Sequence, residues 1–142
     1  MSEFQQVVKD GAQKVGKGIK KGLLLLLLLG IVGGGIYIWV CNWTYSEGTR
    51  AGYLIKVSRK GVVWKTFEGQ LNMGGVQTND SGLTGNIWDF SIPKKADYQT
   101  IQTQEGQYVK LHYREVYKAM PWQGKTNYFV TKVELVNPPS RE

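Results

Sequence analysis

The sequence has very few of the side chains on which redox, metal and nucleophilic chemistry depend. Its one cysteine, Cys41, cannot form an internal disulfide. Its one histidine, His112, excludes most metal sites and a Ser-His-Asp triad, so a metal would need carboxylates alone. Acidic residues are also scarce, because 11 Asp and Glu oppose 18 Lys and Arg. The resulting net charge of +7 favours anionic partners, either phospholipid headgroups or nucleic acid.

The length and the apolar content indicate one small folded domain. A chain of 142 residues excludes a large two-domain enzyme. Because 42% of the residues are hydrophobic and only 20% are charged, the chain can build a core and is not a disordered tail. Five Trp and eight Tyr are many for this length.

A charge-free stretch runs from Gly22 to Ser46 and begins with the seven leucines Leu23–Leu29. About 20 mostly apolar residues cross the hydrocarbon core as a helix, so the stretch predicts one transmembrane helix over residues 22–43. Trp39 and Trp43 stand where an aromatic belt at the headgroups is expected. The alternative is a cleaved signal peptide. We favour an uncleaved anchor, because the apolar run resumes directly after residues 33–35.

The flanks of this span predict its orientation. The lysines before it are Lys9, Lys14, Lys17, Lys20 and Lys21, and only Glu3 and Asp10 oppose them. Positive charge stays in the cytoplasm, so we expect residues 1–21 inside and residues 44–142 outside, in the periplasm of a bacterium. The apolar residues of 1–21 recur at helical spacing, which indicates an amphipathic helix on the anionic inner leaflet. A loosely ordered basic tail is the alternative.

Four glycines lie within the predicted span: Gly30, Gly33, Gly34 and Gly35. Gly30 and Gly34 form a G-x-x-x-G pair, and small residues one turn apart let two helices approach closely in lipid. They predict packing with a second copy of the chain or with another membrane subunit. Glycine is also common in membrane helices without such a role.

Residues 44–142 predict a small OB-like β-barrel, because five strand patterns are interrupted by one short helix after the third. The second strand is expected over Val62–Leu71, with a bulge or a sharp coil near Lys65 where its alternation slips. The inward residues expected on the other four strands are Tyr53, Ile55 and Val57; Trp88, Phe90 and Ile92; Val109, Leu111 and Tyr113; and Phe129, Val133 and Leu135. The short helix falls in residues 93–101 with Tyr98 and Ile101 inward. Residues 72–85 are rich in Gly, Asn, Asp and Ser and are expected to form the longest loop.

Few residues of the barrel suggest catalysis. Four carboxylates are expected on strands, Glu68, Asp89, Glu115 and Glu134, where surface charges are the simpler interpretation than a hydrolytic pair. His112 lies between Lys110 and Arg114 on the expected outer face. The glycines near Lys17 lack both a third glycine and a preceding strand, so they form no dinucleotide site. We therefore predict no catalytic, cofactor or metal site.

Nucleic-acid binding is an alternative because aromatic and basic residues alternate in the barrel. The rings concerned are Trp64, Phe67, Trp88, Phe90, Tyr108 and Tyr113, near Lys65, Lys110 and Arg114. Such rings can form a base-stacking platform on an OB barrel. The strand alternation directs Trp88, Phe90 and Tyr113 inward, however, and an extracytoplasmic location reduces access to nucleic acid. We expect no nucleic-acid partner.

Two motifs carry a family resemblance. Residues 45–52 read Y-S-E-G-T-R-A-G, and residues 60–69 read K-G-V-V-W-K-T-F-E-G. Together they resemble a family of small bacterial membrane-anchored proteins with a Y-S-E-G-x-R-x-G motif followed by K-G-x-x-x-K-T-x-E-G. Residues 85–91 and 106–113 are also similar to that family. The chain departs mildly from the family pattern at two positions, with Arg59 in place of lysine and Phe67 in place of Trp or Tyr. Members are often labelled 6-phosphogluconate dehydrogenase. This chain does not support the label, because it lacks the nucleotide fingerprint and the length of a Rossmann domain.

The first motif lies where the span should join the first strand. Its residues are Ser46, Glu47, Gly48, Arg50 and Gly52. Gly48 and Gly52 permit a sharp turn there, across which Glu47 and Arg50 could pair. A structural role is favoured for this motif and ligand binding is the alternative.

The whole sequence thus predicts a non-catalytic, single-pass inner-membrane protein whose periplasmic barrel serves a larger complex as an accessory or assembly subunit. An envelope protein that binds a small ligand under the 72–85 loop is the first rival, and a carboxylate hydrolase is the second.

Overall fold

A computed structural model describes residues 2–80 and 82–140 of the chain. The chain divides into two compact units, a helical unit that ends at Trp39 and a second unit from Val40 onward. The secondary-structure elements are α1 (Ser2–Cys41), β1 (Thr44–Lys60), β2 (Thr66–Asn79), β3 (Gly82–Ile92), α2 (Lys95–Gln102), β4 (Tyr108–Val116) and β5 (Tyr128–Leu135).

Helix α1 is one unbroken helix of 40 residues that crosses the expected boundary at residue 22 without interruption. It is long and apolar enough to span a membrane. Among the residues that the structure describes, Leu23–Leu29 are each between 55 and 70% exposed. In water such a surface would be strongly unfavourable, whereas lipid tails solvate it. The helix ends at Cys41, two residues before the expected end, and the Cys41 side chain is buried.

The second unit is a closed five-stranded barrel with the strand order β1-β2-β3-β5-β4, and β4 pairs with β1 to close it. Most neighbouring strands are antiparallel; β3 and β5 are parallel and meet at a single pair, Ser91 with Phe129. Helix α2 lies between β3 and β4 in the chain. This order and this helix position are those of an OB fold, so the predicted architecture is confirmed.

The barrel interior is filled by side chains. Its fully or nearly buried members are Leu54, Val57, Leu71, Trp88, Phe90, Ile92, Ile101, Val109, Leu111 and Val130. The inward faces expected for β3 and for the first part of β4 are confirmed. Ile101 of α2 is 1% exposed, and Tyr98 stacks on Phe67 with ring centroids 4.4 Å apart, so α2 packs against the core on its expected face.

The expected inward face of β1 is confirmed at Val57 and is wrong before it, at Tyr53 and Ile55. Leu54 and Val57 are buried, whereas Tyr53 and Ile55 are exposed. The β1–β2 register shifts between Leu54 and Lys56, so Ile55 is the extra residue of a bulge. A bulge places one additional residue on a strand, and the in–out alternation therefore changes phase across it.

The second strand begins four residues later than expected. Residues 61–65 form a closed loop in which Gly61 has φ of +119° and Lys65 Nζ donates to the Gly61 carbonyl, 2.5 Å away. A Cβ at residue 61 would lie 1.8 Å from the Trp64 carbonyl oxygen, so only glycine fits. Val62 and Val63 are consequently exposed rather than in a strand.

The long loop expected at residues 72–85 is instead a β-hairpin. Backbone pairs run from Val76 with Gly85 to Asn79 with Gly82, so β2 and β3 extend to a short turn; Ser81 lies outside the described residues. Gly74 and Gly75 have φ near +80°, and the register shifts there, which marks a bulge. The polar composition was misleading because backbone pairing requires no apolar side chains.

The buried face of β5 also differs from the prediction. Val133 packs against the core as expected, but Val130 is the core residue before it. Phe129 is buried although it pairs with Arg114 of the outer face, and Leu135 is 57% exposed. The β4–β5 register shifts between His112 and Tyr113, which leaves Thr131 as the extra residue. The corrections to β1 and β5 therefore have the same physical cause, a bulge that local alternation does not reveal.

Candidate functional site

A cleft that joins several strands lies on the outside of β1, β2 and β3. Its volume is about 260 Å³. It is lined by Lys56, Ser58, Lys60, Glu68, Gly69, Gln70, Asp89, Phe90, Lys125 and Thr126. The loop over residues 117–127 borders it. OB folds commonly use this face, between the β1–β2 and β4–β5 loops, to bind ligands.

Glu68 forms the floor of the cleft and is only 7% exposed. One of its carboxylate oxygens accepts from the Ser91 hydroxyl at 2.7 Å, and the other accepts from the Lys125 backbone N–H at 2.9 Å. The Thr126 backbone N–H donates to Ser91 Oγ at 3.1 Å. Glu68 and Ser91 therefore hold the 117–127 loop against the sheet. A Cβ on Gly124 would lie 2.4 Å from Ser91 Oγ, so the close approach of this loop requires glycine.

The accessible charge of the cleft is mainly positive. Lys56, Lys60 and Lys125 are exposed. In the part of the chain that the structure describes, none of these three ammonium groups forms an ion pair. Asp89 accepts from Gln70 Nε2 at 2.8 Å, and the oxygens of Glu68 are both occupied. The cleft is thus suited to an anionic group, and its two carboxylates act in hydrogen bonds within the protein.

The other two carboxylates lie elsewhere and are also engaged. Glu115 accepts from the Tyr45 hydroxyl, and this hydrogen bond, with smaller contributions from desolvation and the Glu115 charge, raises the pKa of Tyr45 to about 12. The Lys132 ammonium, 2.7 Å from Glu134, and then His112 hold the pKa of Glu134 below its ordinary value. His112 Nε2 lies 3.3 Å from the Glu134 carboxylate, on the outer face as expected. Of the four carboxylates, only Glu68 and Asp89 share a cleft.

The first family motif lies within strand β1, so the predicted turn is wrong. Glu47 is exposed, and Ser46 and Glu47 pair with Glu115 and Arg114 of β4. Arg50 does not pair with Glu47. Its guanidinium lies over three rings instead, at 4.8 Å from Trp88, 5.4 Å from Tyr113 and 5.3 Å from Tyr128. Its side chain therefore connects β1 to rings of β3, β4 and β5 by cation–π contacts.

The motif glycines are explained by close packing in the barrel. A Cβ on Gly48 would lie 2.9 Å from the Tyr113 hydroxyl oxygen, and one on Gly52 would lie 2.3 Å from the Asn72 carbonyl oxygen. In the second motif, a Cβ on Gly69 would lie 2.3 Å from the Phe90 ring. Both motifs thus contain residues that the barrel needs for its packing, which supports the structural interpretation of the first.

The predicted membrane residues all lie on α1 or directly after it. The lysines Lys9, Lys14, Lys17, Lys20 and Lys21 are exposed, as are Trp39 and Trp43. A Cβ at Gly30, Gly33, Gly34 or Gly35 would meet nothing within 4 Å, so contacts inside the chain do not require these glycines. Within residues 2–80 and 82–140, no three His, Cys, Asp or Glu side chains converge as metal ligands.

Four of the six rings considered for base stacking are wholly or partly covered by other residues of the barrel. Trp88 and Phe90 are buried, Tyr113 is half-buried, and the ring of Phe67 is stacked on that of Tyr98. Sequence reasoning missed the Arg50 ring contacts, the Glu68–Ser91 bond and the contact between Trp64 and Trp122. The local sequence signal for tight packing was the glycines of the two motifs, because Gly48, Gly52 and Gly69 each lie where another residue packs against the backbone.

Comparison with known proteins gives a family without a described activity. No curated protein and no solved structure matches the chain. One family, described as "Domain of unknown function (DUF8785)", matches residues 43–140. The match begins just after α1 and covers the entire barrel. The chain therefore belongs to the DUF8785 family.

Proposed function

We propose that this chain is a non-catalytic, single-pass protein of the bacterial inner membrane, and that its periplasmic barrel serves a larger membrane complex as an accessory or assembly subunit. The observation that carries the proposal is the contrast between the two units. The leucine run of α1 is exposed along its length, whereas the barrel interior is filled. The first unit therefore needs lipid or another helix around it, and the second offers its outer surface for contact.

The orientation follows from the lysines before the leucine run, which favour a cytoplasmic N-terminus. A cysteine at Gln99, exposed on α2, should react with a membrane-impermeant thiol reagent in intact spheroplasts. A cysteine at Gln5, exposed near the start of α1, should react only after lysis. Cys41 is buried and contributes little background. The opposite pattern would overturn the periplasmic assignment.

The glycines of α1 supply the test of complex membership. Gly34→Leu adds a side chain where nothing inside the chain lies within 4 Å, so folding should be unaffected while a partner helix is pushed away. The protein should then be lost from the material that co-purifies with it in mild detergent. Gly22→Leu is the matched control, because its site is equally open and lies at the edge of the span. Equal co-purification of both variants with wild type would contradict helix-mediated assembly.

The lysine-lined cleft favours a second candidate, an envelope protein that binds a small anionic ligand. The cleft is on the barrel surface and is bordered by the 117–127 loop rather than by residues 72–85. A monomer that co-purifies with no other protein, and whose melting temperature rises with an added anion, would favour this candidate. Lys60→Gln should reduce that rise.

A further inference from the structure

Four apolar side chains form an exposed patch that we name the apolar tip: Val62, Val63, Trp64 and Trp122. Val62 is 97% exposed and Val63 is 76% exposed. The rings of Trp64 and Trp122 pack edge to face with centroids 6.4 Å apart, yet each remains about half exposed. Single exposed apolar residues are ordinary, but a contiguous group of large ones marks a contact surface.

The shape of the apolar tip is held by the backbone. Gly61 has a positive φ that only glycine adopts readily, and Lys65 closes the loop through its bond to the Gly61 carbonyl. On the other side, Gln123 Oε1 accepts from the Met120 N–H at 3.0 Å, which fixes the turn that carries Trp122. The valines are therefore presented outward by two folded loops.

The apolar tip is tied to the place where the chain emerges from α1. Gln123, the neighbour of Trp122, donates through its amide to Asn42 Oδ1 at 2.6 Å. In the same loop the Lys118 N–H donates to the Cys41 carbonyl at 3.0 Å. Asn42 directly follows α1, so these bonds hold the 117–127 loop beside the C-terminal end of that helix.

Basic residues surround the apolar tip. Lys60 and Lys65 bracket Val62–Trp64 in the chain, Lys125 follows Trp122 by three residues, and all three side chains are exposed. Tryptophan rings and apolar side chains flanked by lysines are the composition that proteins place at the membrane–water interface.

We propose that the apolar tip, with Lys60, Lys65 and Lys125, is a membrane-docking surface. The valines and tryptophans enter the boundary between headgroups and acyl chains on the barrel's side of the bilayer, and the lysines contact the phosphates of anionic phospholipids. The occupant is the bilayer because the anchor holds this surface close to it, so that even weak contacts are made continuously. The proposal depends on the anchor but on no partner protein.

The test measures depth in the full chain, with Cys41 replaced by Ala and a nitroxide on one introduced cysteine at a time. The chain is placed in nanodiscs of mixed phosphatidylglycerol and phosphatidylethanolamine. A label at Val63 should be more accessible to oxygen than to a water-soluble nickel complex. Leu135 is the matched control: it is an exposed apolar residue opposite Val109. Val109 lies about 23 Å along β4 from Val116, the partner of Thr44. The label at Leu135 should therefore remain accessible to the nickel complex.

A label at Leu26 separates failure of this proposal from failure of the anchor. If Leu26 is in lipid while Val63 is as accessible to nickel as Leu135, the docking surface is overturned and the anchor stands. If Leu26 is in water, both fail. Adding Val62→Glu should return the Val63 label to water, since a carboxylate opposes entry into lipid. Protection of Val63 that persists with Val62→Glu, or that rises with the number of chains per disc, would assign the apolar tip to protein contact and overturn the proposal.

Discussion

The hydroxyl of Ser91 lies 2.7 Å from Oε2 of Glu68, and neither side chain is exposed by more than 7%. This bond joins β2 and β3 and, through the Lys125 and Thr126 N–H groups, fixes the loop that carries Trp122. A nearly buried carboxylate is thus retained because its hydrogen bonds are made within the protein.

Glu68→Ala should lower the free energy of unfolding by about 1–3 kcal/mol, because the Lys125 N–H loses its acceptor. Gln70→Ala is the control. Its amide bond to Asp89 is exposed, and its loss should cost no more than about 0.5 kcal/mol. Urea unfolding of the full chain in mild detergent, followed by near-ultraviolet circular dichroism, compares the two. Equal stability of both variants would contradict a structural role for Glu68.

Arg50→Met should destabilise the barrel by about 1–2 kcal/mol, because the guanidinium faces the rings of Trp88, Tyr113 and Tyr128. Arg50→Lys should restore only part of the loss, since an ammonium group lacks the planar face that stacks. Arg59→Met, at an exposed position on the same strand, serves as the control. The thermal midpoint of the full chain is the measurement. Full restoration by lysine would show that charge alone matters.

Gly52→Ala should cost more than about 1 kcal/mol, because its Cβ would lie 2.3 Å from a backbone oxygen of β2 that cannot move independently of the sheet. Gly85→Ala is a matched strand substitution whose Cβ would approach no atom closer than 3.9 Å. Its effect should be small. The denaturation midpoints of the two variants provide the comparison, and a tolerated Gly52→Ala would contradict the packing explanation of the motif.

Glu134 should titrate below its ordinary pKa in the folded chain, chiefly because of Lys132. A depressed pKa means that the folded state binds this proton less readily than the unfolded state. The stability contributed by Glu134 is therefore present above the unfolded value near 4.5 and is lost as the pH falls through the folded pKa.

Lys132→Met should raise the pKa of Glu134, as measured by carbon-13 NMR of its carboxyl group. Lys56→Met, on β1 and outside the partners of Glu134, is the control and should have little effect. A wild-type Glu134 that titrates at its ordinary value would refute the expectation.

The sequence alone determined the features that depend on local composition. The leucine run and the lysines before it specify an apolar helix with a basic flank, because hydropathy and charge act residue by residue. The alternation around Trp88 and Val109 identified true inward faces, and Pro93 marked the break before α2. These patterns also yielded the strand count and the order of an OB barrel.

The tertiary structure alone decided the changes of phase within β1 and β5 and the 72–85 hairpin. A bulge at Ile55 or Thr131 is stabilised by pairing with a strand distant in the chain, so no local pattern reveals it. The same holds for the partners of Arg50 and Glu68. Their contacts join residues 23 or more positions apart, and only closure of the barrel brings these together. Local sequence specifies which residues can be buried, whereas strand pairing determines which of them are.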